Sequence, residues 1–309
     1  MNKYTQYIQD KILELHQKNW SSRMIANELD ISKSGVNDWL KLHYSSQDNT
    51  VQKKPKVLVL DLESAPSIAV AFGRFKVNLS QDSILKEGGY LLTYAYKWLG
   101  EERIYSNMLN PADAIEGRDE GLVAELWDAI ESADAVLAHN LLNFDLPLLK
   151  ARCIVNGLPP LKKVQKLDSL VLSKEFRFNS NKLDSLCSQL DIGRKIQHSG
   201  IDLWVRCIHG DTKAMQEMLE YNEQDVLLLE ELYTTIRPHS TRHANLAVHY
   251  TDGKMRCNCC CSTDVKPTGN TVTTNLSVFT EYKCNSCNAR FKDRTSLTTK
   301  EQRKNFLSN

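Results

Sequence analysis

The sequence predicts an α/β protein: a mixed sheet with flanking helices, preceded by a small helical bundle and followed by a short segment that needs a metal to fold. Three observations predict it. Between residues 56 and 240, strand-like apolar runs come first and then alternate with helical stretches. The first 45 residues show helical spacing alone. Six of the nine cysteines crowd into residues 257–287. A chain of 309 residues has room for two or three compact units, one of them with a sizeable core.

In residues 1–45, Ile8, Ile12 and Leu15 recur at helical spacing, and Ile25 and Leu29 continue the pattern after Ser21 and Ser22, which suit an N-cap. After a very short turn, Ser32 can cap a third helix whose Val36, Trp39 and Leu40 face the first two. Lys33, Ser34, Asn37 and Lys41 are left outward. This run resembles the helix-turn-helix of site-specific recombinases, transposases and sigma-like factors. The resemblance implies that those four side chains meet duplex DNA; a protein-docking bundle is the alternative. Residues 46–55 are polar and aperiodic and end in Pro55, as a linker does.

The central segment starts with Val57-Leu58-Val59-Leu60, an apolar run fit for a central strand. Residues 90–98 and 103–108, broken at Gly100-Glu101, suit a hairpin beside it. Residues 121–133 are amphipathic, and 135–138 form a short buried strand. Helices are expected over about 143–156, 181–190 and 213–236.

Alternation along Val57-Leu58-Val59-Leu60-Asp61-Leu62-Glu63 puts Asp61 and Glu63 on one face of the strand, where they repel unless a cation lies between them. A hard divalent ion with oxygen ligands relieves that strain. Asp145, in Asn140-Leu141-Leu142-Asn143-Phe144-Asp145-Leu146-Pro147, opens a helix after a buried strand, where an acid also complements the helix dipole. Tyr221 and Asp225 are four apart on a long helix and share a face.

In order and spacing, Asp-x-Glu, then Asn-x-x-x-Phe-Asp, then Tyr-x-x-x-Asp resembles the three motifs of the tyrosine-type proofreading 3′→5′ exonucleases. These are ribonuclease H-like proteins that include the proofreading domains of family B DNA polymerases. Lys166-Leu167-Asp168-Ser169-Leu170 and Asn181-Lys182-Leu183-Asp184-Ser185-Leu186 look like connecting elements of the same family. The resemblance covers about residues 57–236 and implies two-metal phosphodiester hydrolysis with Mg²⁺ or Mn²⁺. Asp61 would then bridge both ions, Glu63 and Asp225 would hold the nucleophile-side ion, and Asp145 would support the leaving-group ion, mainly through water. Tyr221 would orient the attacking hydroxide. Asn140 and Phe144 would support the substrate, Phe144 near the terminal base. The expected substrate is a single-stranded 3′ end, DNA preferred, with RNA 3′ ends as the alternative. Replication or recombination proteins are further candidate partners, and the mix of modules suggests a phage or bacterial gene.

Cys257-Asn258-Cys259-Cys260 and Cys284-Asn285-Ser286-Cys287 supply two C-x2-C knuckles separated by 23 residues, a spacing that suits tetrahedral zinc. Tyr282 and Arg290-Phe291 flank the second knuckle as in zinc ribbons, so residues 245–309 are expected to be a ribbon around one structural zinc. Cys257, Cys260, Cys284 and Cys287 are the favoured ligands, with Cys259 or Cys261 as substitutes. Cys153, Cys187 and Cys207 lie in apolar surroundings and suit a core.

Residues 251–309 hold ten Lys/Arg against five acids, on a chain of net charge +1. A basic tail beside an acidic centre fits a protein that holds a polyanion while its core holds cations. No apolar run approaches bilayer length and no leader pattern opens the sequence, so a cytoplasmic protein without a membrane partner is expected. The same order of modules resembles transposon-encoded endonucleases. In those a ribbon interrupts the core before its last acid; here the ribbon follows Asp225, and Tyr221 stands one turn before it. A DNA-binding regulator with a relict core is a further rival, disfavoured by the presence of all four acids and the tyrosine.

Overall fold

The computed structural model describes residues 4–18, 20–47, 54–73, 75–196 and 199–307, with the side chains of 17 and 41–47 excepted. The chain divides into two compact units, Met1–Lys53 and Lys54–Asn309.

The first unit is three helices: α1 (Gln6–Gln17), α2 (Ser22–Glu28) and α3 (Lys33–Gln47). Ser21 caps α2, its hydroxyl oxygen accepting from Met24 N at 3.4 Å, and Ser32 accepts from Gly35 N at 3.1 Å at the head of α3. Ile12, Ile25, Val36, Trp39 and Leu40 close a small core. A Cβ at residue 35 would stand 1.9 Å from the Tyr4 hydroxyl oxygen, so Gly35 lets the Tyr4 side chain lie against α3, and a larger residue there would displace it. Because α3 runs to Gln47, the start of the expected linker is helical; its residues 48–53 lie outside the described ones.

The second unit opens with β1 (Val57–Ser64), a short hairpin of β2 (Ile68–Ala69) and β3 (Ile84–Lys86), and a longer one of β4 (Leu91–Trp98) and β5 (Ile104–Met108). Next come α4 (Pro111–Glu116), α5 (Glu120–Glu131), β6 (Ala135–Ala138) and α6 (Asp145–Val155). They are followed by β7 (Gln165–Asp168), α7 (Ser169–Ser173), α8 (Leu183–Gln189), α9 (Ile201–Ile208) and α10 (Thr212–Ile236). Five strands form one sheet in the order β5-β4-β1-β6-β7. β1 pairs antiparallel with β4 and parallel with β6, so the sheet is mixed and β1 is its centre.

Strand alternation sorts β1 between two apolar layers. Leu58, Leu60 and Leu62 pack with Leu126 of α5, Leu149 of α6 and Leu203 of α9. Val57 and Val59 pack with Leu186 of α8 and with Leu229 and Leu232 of α10. Asp61 and Glu63 continue this second row. A buried ion pair between Lys97 and Glu230 ties β4 to α10. Cys153, Cys187 and Cys207 are buried in these layers.

β8 (Val265–Thr274), β9 (Ser277–Cys284) and β10 (Arg290–Ser296) form a second antiparallel sheet with β9 central, followed by α11 (Lys300–Lys304). It belongs to the second compact unit. Leu246 and Cys261 share an apolar cluster with Tyr233 and Ile236 of α10, and Cys259 Sγ lies 3.5 Å from Arg237 O. No helix among the described residues is long and apolar enough to cross a membrane.

Candidate active site

The acids meet at the C-terminal end of β1. Asp61 and Glu63 stand opposite Ala95 and Thr93 of β4. α10 packs on the same two strands and brings Tyr221 and Asp225, both buried. One carboxylate oxygen from each of Asp61, Glu63 and Asp225 lies within 4.8 Å of the others. Asp145, the first residue of α6, is buried and outside that trio. The backbone N–H groups of Asp145 itself and of Leu62 on β1 favour its charged form, against burial.

Burial, reinforced by Asp225, Glu63 and Asp145, raises Asp61 well above the usual carboxylate range. Burial and then Asp225 push Glu63 up to about 8, and burial pushes Asp145 up to about 7. Asp225 is raised by burial against the pull of Lys195. Asp145 Oδ2 and Asp225 Oδ1 are buried without a hydrogen-bond partner. Acids that burial and mutual repulsion disfavour as anions, with orphaned oxygens and an all-oxygen donor set, fit hard divalent cations.

Several residues that spacing did not reveal hold these acids. Asn222 donates from Nδ2 to Asp61 Oδ2 at 2.5 Å, and Trp204 of α9 hydrogen-bonds Glu63. Lys195 Nζ donates to Tyr221 Oη at 2.8 Å and also to Asp225 Oδ2. Burial works against that ammonium, but Asp225 outweighs it and raises its pKa. Tyr221 is pushed up to about 12 by burial and by Asp225.

Asp168 at the end of β7 builds the loop that leads to Asp145. Its carboxylate accepts from Asn140 N and Leu142 N, each at 3.1 Å, and from Leu170 N and Val171 N at 3.0 and 3.3 Å. Asn140 adopts φ 77°, a left-handed conformation that Asn tolerates, and its Oδ1 accepts from Asn143 Nδ2 at 3.0 Å. Asn140 thus supports the loop itself, while the Phe144 ring stands exposed just before α6.

In the ribbon, the sulfurs of Cys257, Cys260, Cys284 and Cys287 also lie within 4.8 Å of one another. The two knuckles are built alike: Cys261 N bonds back to Cys257 O, and Asn288 N to Cys284 O. Cys261 and Asn288, the residues after each knuckle, take φ 64° and 62°. Of the substitutes, Cys261 is buried against α10, while Cys259 is buried beside Cys257 and Cys284 with its Sγ 3.5 Å from Arg237 O, outside the group of four sulfurs. Four converging sulfurs are a donor set that fits zinc. On α3, Lys33, Ser34 and Asn37 are exposed; the Lys41 side chain lies outside the described residues.

Residues 91–237 match the family model RNase_H_2, of the RNase_H superfamily. The match runs from β4 through α10 and takes in Asp145, Tyr221 and Asp225; β1 with Asp61 and Glu63 lies outside it, separated from its start by β2 and β3. Among solved structures, a family B DNA polymerase from the hyperthermophilic archaeon Pyrobaculum calidifontis is similar at a TM-score of 0.45 and 14% identity, over 60% of this chain and 25% of the polymerase. The similar part thus spans about a quarter of that polymerase. A comparison with curated proteins gave no significant match. The mixed five-stranded sheet, its flanking helices and this family match identify residues 91–237 as a domain of the RNase_H superfamily.

Proposed function

We propose that the chain is a two-metal 3′→5′ exonuclease that hydrolyses phosphodiester bonds at nucleic-acid 3′ ends, with single-stranded DNA preferred. One observation carries the reading: oxygens of Asp61, Glu63 and Asp225 converge within 4.8 Å, with the buried Tyr221 one helical turn before Asp225. A three-acid endonuclease has no use for that tyrosine.

Asp61, Glu63 and Asp225 would hold one Mg²⁺ or Mn²⁺, and Asp61 with Asp145 the second. When bound, the ions supply an activated water and neutralise charge on the leaving 3′ oxygen. Tyr221, pushed up to about 12, keeps its proton at neutral pH and therefore orients the nucleophile by donating a hydrogen bond rather than by taking a proton. Asn222 and Trp204 fix the carboxylate orientations of Asp61 and Glu63. Phe144 offers an exposed ring to the terminal base. Cys257, Cys260, Cys284 and Cys287 hold one structural zinc, and α3 meets duplex DNA through Lys33, Ser34, Asn37 and Lys41.

The test is digestion of a 5′-labelled single-stranded DNA, and of an RNA of the same sequence, with Mg²⁺, Mn²⁺ or EDTA. The native protein is compared with Asp145→Ala. A metal-dependent ladder shortening from the 3′ end, lost in the variant, is the expected result. Internal cuts would instead establish an endonuclease, and faster digestion of the RNA would reassign the substrate.

A further inference from the structure

We propose that the ribbon carries a second contact for a single polynucleotide strand: a groove in which a base stacks at Tyr282 and Phe291 while cations at its rim meet the phosphates. It rests on the nuclease reading only for the identity of the strand.

The groove lies between the 245–258 segment and the β9–β10 pair, and Lys254, Met255, Asn258, Tyr282, Phe291, Lys292 and Arg294 line it. Tyr282 on β9 and Phe291 on β10 are cross-strand partners, with ring centroids 6.5 Å apart and planes within 10°. Both are half-buried, so the aromatic platform is anchored in the sheet and still reaches the groove. Lys254 and Arg294 are exposed at its rim, against Asp293 as the single acid of the described lining; Lys292 is exposed beside them with its ammonium over the Phe279 ring, 4.2 Å from the centroid. The Oδ1 of Asn258, in the same lining, is buried without a hydrogen-bond partner, so the amino group of a base would reach it once the side chain turns toward the groove. Aromatic faces flanked by cations are the combination that holds single strands with little regard to sequence. An acidic peptide would find the cations and could donate to the acceptor, but it brings no run of flat bases to the stacked rings.

The experiment is photocrosslinking of the full chain to single-stranded DNA and RNA carrying 5-iodouracil, without Mg²⁺ or Mn²⁺ so that no strand is cut, with adducts mapped by mass spectrometry. Adducts are expected on Met255, Tyr282 or Phe291 with at least one of the two strands. The triple variant Lys254→Glu, Lys292→Glu, Arg294→Glu should lower them about tenfold, as loss of several phosphate contacts does. All three side chains are exposed, and an unchanged zinc content and melting temperature would verify the fold of the variant. Adducts confined to other residues, or undiminished in the folded triple variant, would overturn the proposal and leave the groove to a protein partner. A chain that crosslinks here but digests nothing keeps this groove and loses the exonuclease. A chain that digests 3′ ends without ribbon adducts does the reverse.

Discussion

Asn222 Nδ2 donates to Asp61 Oδ2 at 2.5 Å and so joins the helix of Tyr221 and Asp225 to the strand of Asp61 and Glu63. Asn222 is fully buried, with Thr93 Oγ1 3.5 Å from its Oδ1, at the limit of a hydrogen bond. A carboxylate so held presents its free oxygen in one direction, and removing such a partner typically costs about 10–100-fold in metal affinity or activity. Asn222→Leu keeps the volume and removes the donor. The Mn²⁺ concentration for half-maximal cleavage should rise by about that factor, with circular dichroism unchanged. A variant with native Mn²⁺ dependence would show that Asp61 needs no such support.

The raised carboxyls make the stability of the fold depend on pH in a definite direction. Glu63 moves from 4.5 to about 8 and Asp145 from 3.8 to about 7 on folding, both chiefly through burial. Across that window the folded chain holds more protons than the unfolded one, so its stability falls as pH rises toward 8. Divalent ions bind the deprotonated acids and reverse the trend. Melting curves of protein freed of Mg²⁺ and Mn²⁺ should therefore show a lower Tm at about pH 8 than at about pH 5. Millimolar Mn²⁺ should raise Tm more at the higher pH. A Tm gain from Mn²⁺ that is independent of pH would count against these acids as the ligands.

Asp168 binds no proposed ion, yet its loss should be severe. Its carboxylate serves the N–H groups of Asn140 and Leu142 ahead of α6 and those of Leu170 and Val171 at the head of α7. Asp168→Ala strands these donors and removes a helix cap, for on the order of 3 kcal/mol of stability. Because the loop delivers Asp145, turnover should fall as well. Urea titration measures the first effect. A midpoint shift worth less than about 1 kcal/mol would mean that water replaces the carboxylate.

The ribbon ligands divide the six clustered cysteines sharply. Cys260→Ser and Cys284→Ser should lose the bound zinc, whereas Cys259→Ser should keep it, since the Cys259 sulfur is buried beside the cluster but lies on Arg237 O, outside the group of four. Zinc released by a mercurial reagent would be counted for each variant. Because Leu246 and Cys261 pack with Tyr233 and Ile236, the zinc-free variants should also melt several degrees lower across the second unit. Zinc loss from Cys259→Ser alone would move the register by one knuckle position.

What the sequence revealed and what it hid follow from how each contact is made. Asp61 and Glu63 were legible because a period of two places them on one face, and Tyr221 with Asp225 because four residues make a helical turn. Asp145 followed from Pro147 and the buried strand before it. By contrast β7, Gln165–Asp168, is four residues at the sheet edge, too short to show a period. The knuckle register stayed open in the sequence because the left-handed positions after Cys260 and Cys287 are filled by Cys261 and Asn288 rather than by telltale glycines. Trp204 and Lys195 reach Glu63 and Asp225 through tertiary packing alone.

Lys195 is the sharpest case, and its removal should give a split signature. It sits in an irregular stretch after α8, where Asp191 and Gly200 take positive φ, and its ammonium contacts both Tyr221 and Asp225. As a donor to the Tyr221 hydroxyl oxygen it fixes where that hydroxyl can aim its own proton, so Lys195→Ala should slow turnover on the order of a hundredfold. As a cation on Asp225 it also competes with any divalent ion for the carboxylate, so the same variant should saturate at several-fold lower Mn²⁺. Slower turnover with tighter metal binding is a pair that a misfolded site does not produce, because disorder weakens both. Cleavage rates across a Mn²⁺ titration read the two effects together. A variant that loses turnover and metal affinity in parallel would reduce Lys195 to a structural contact.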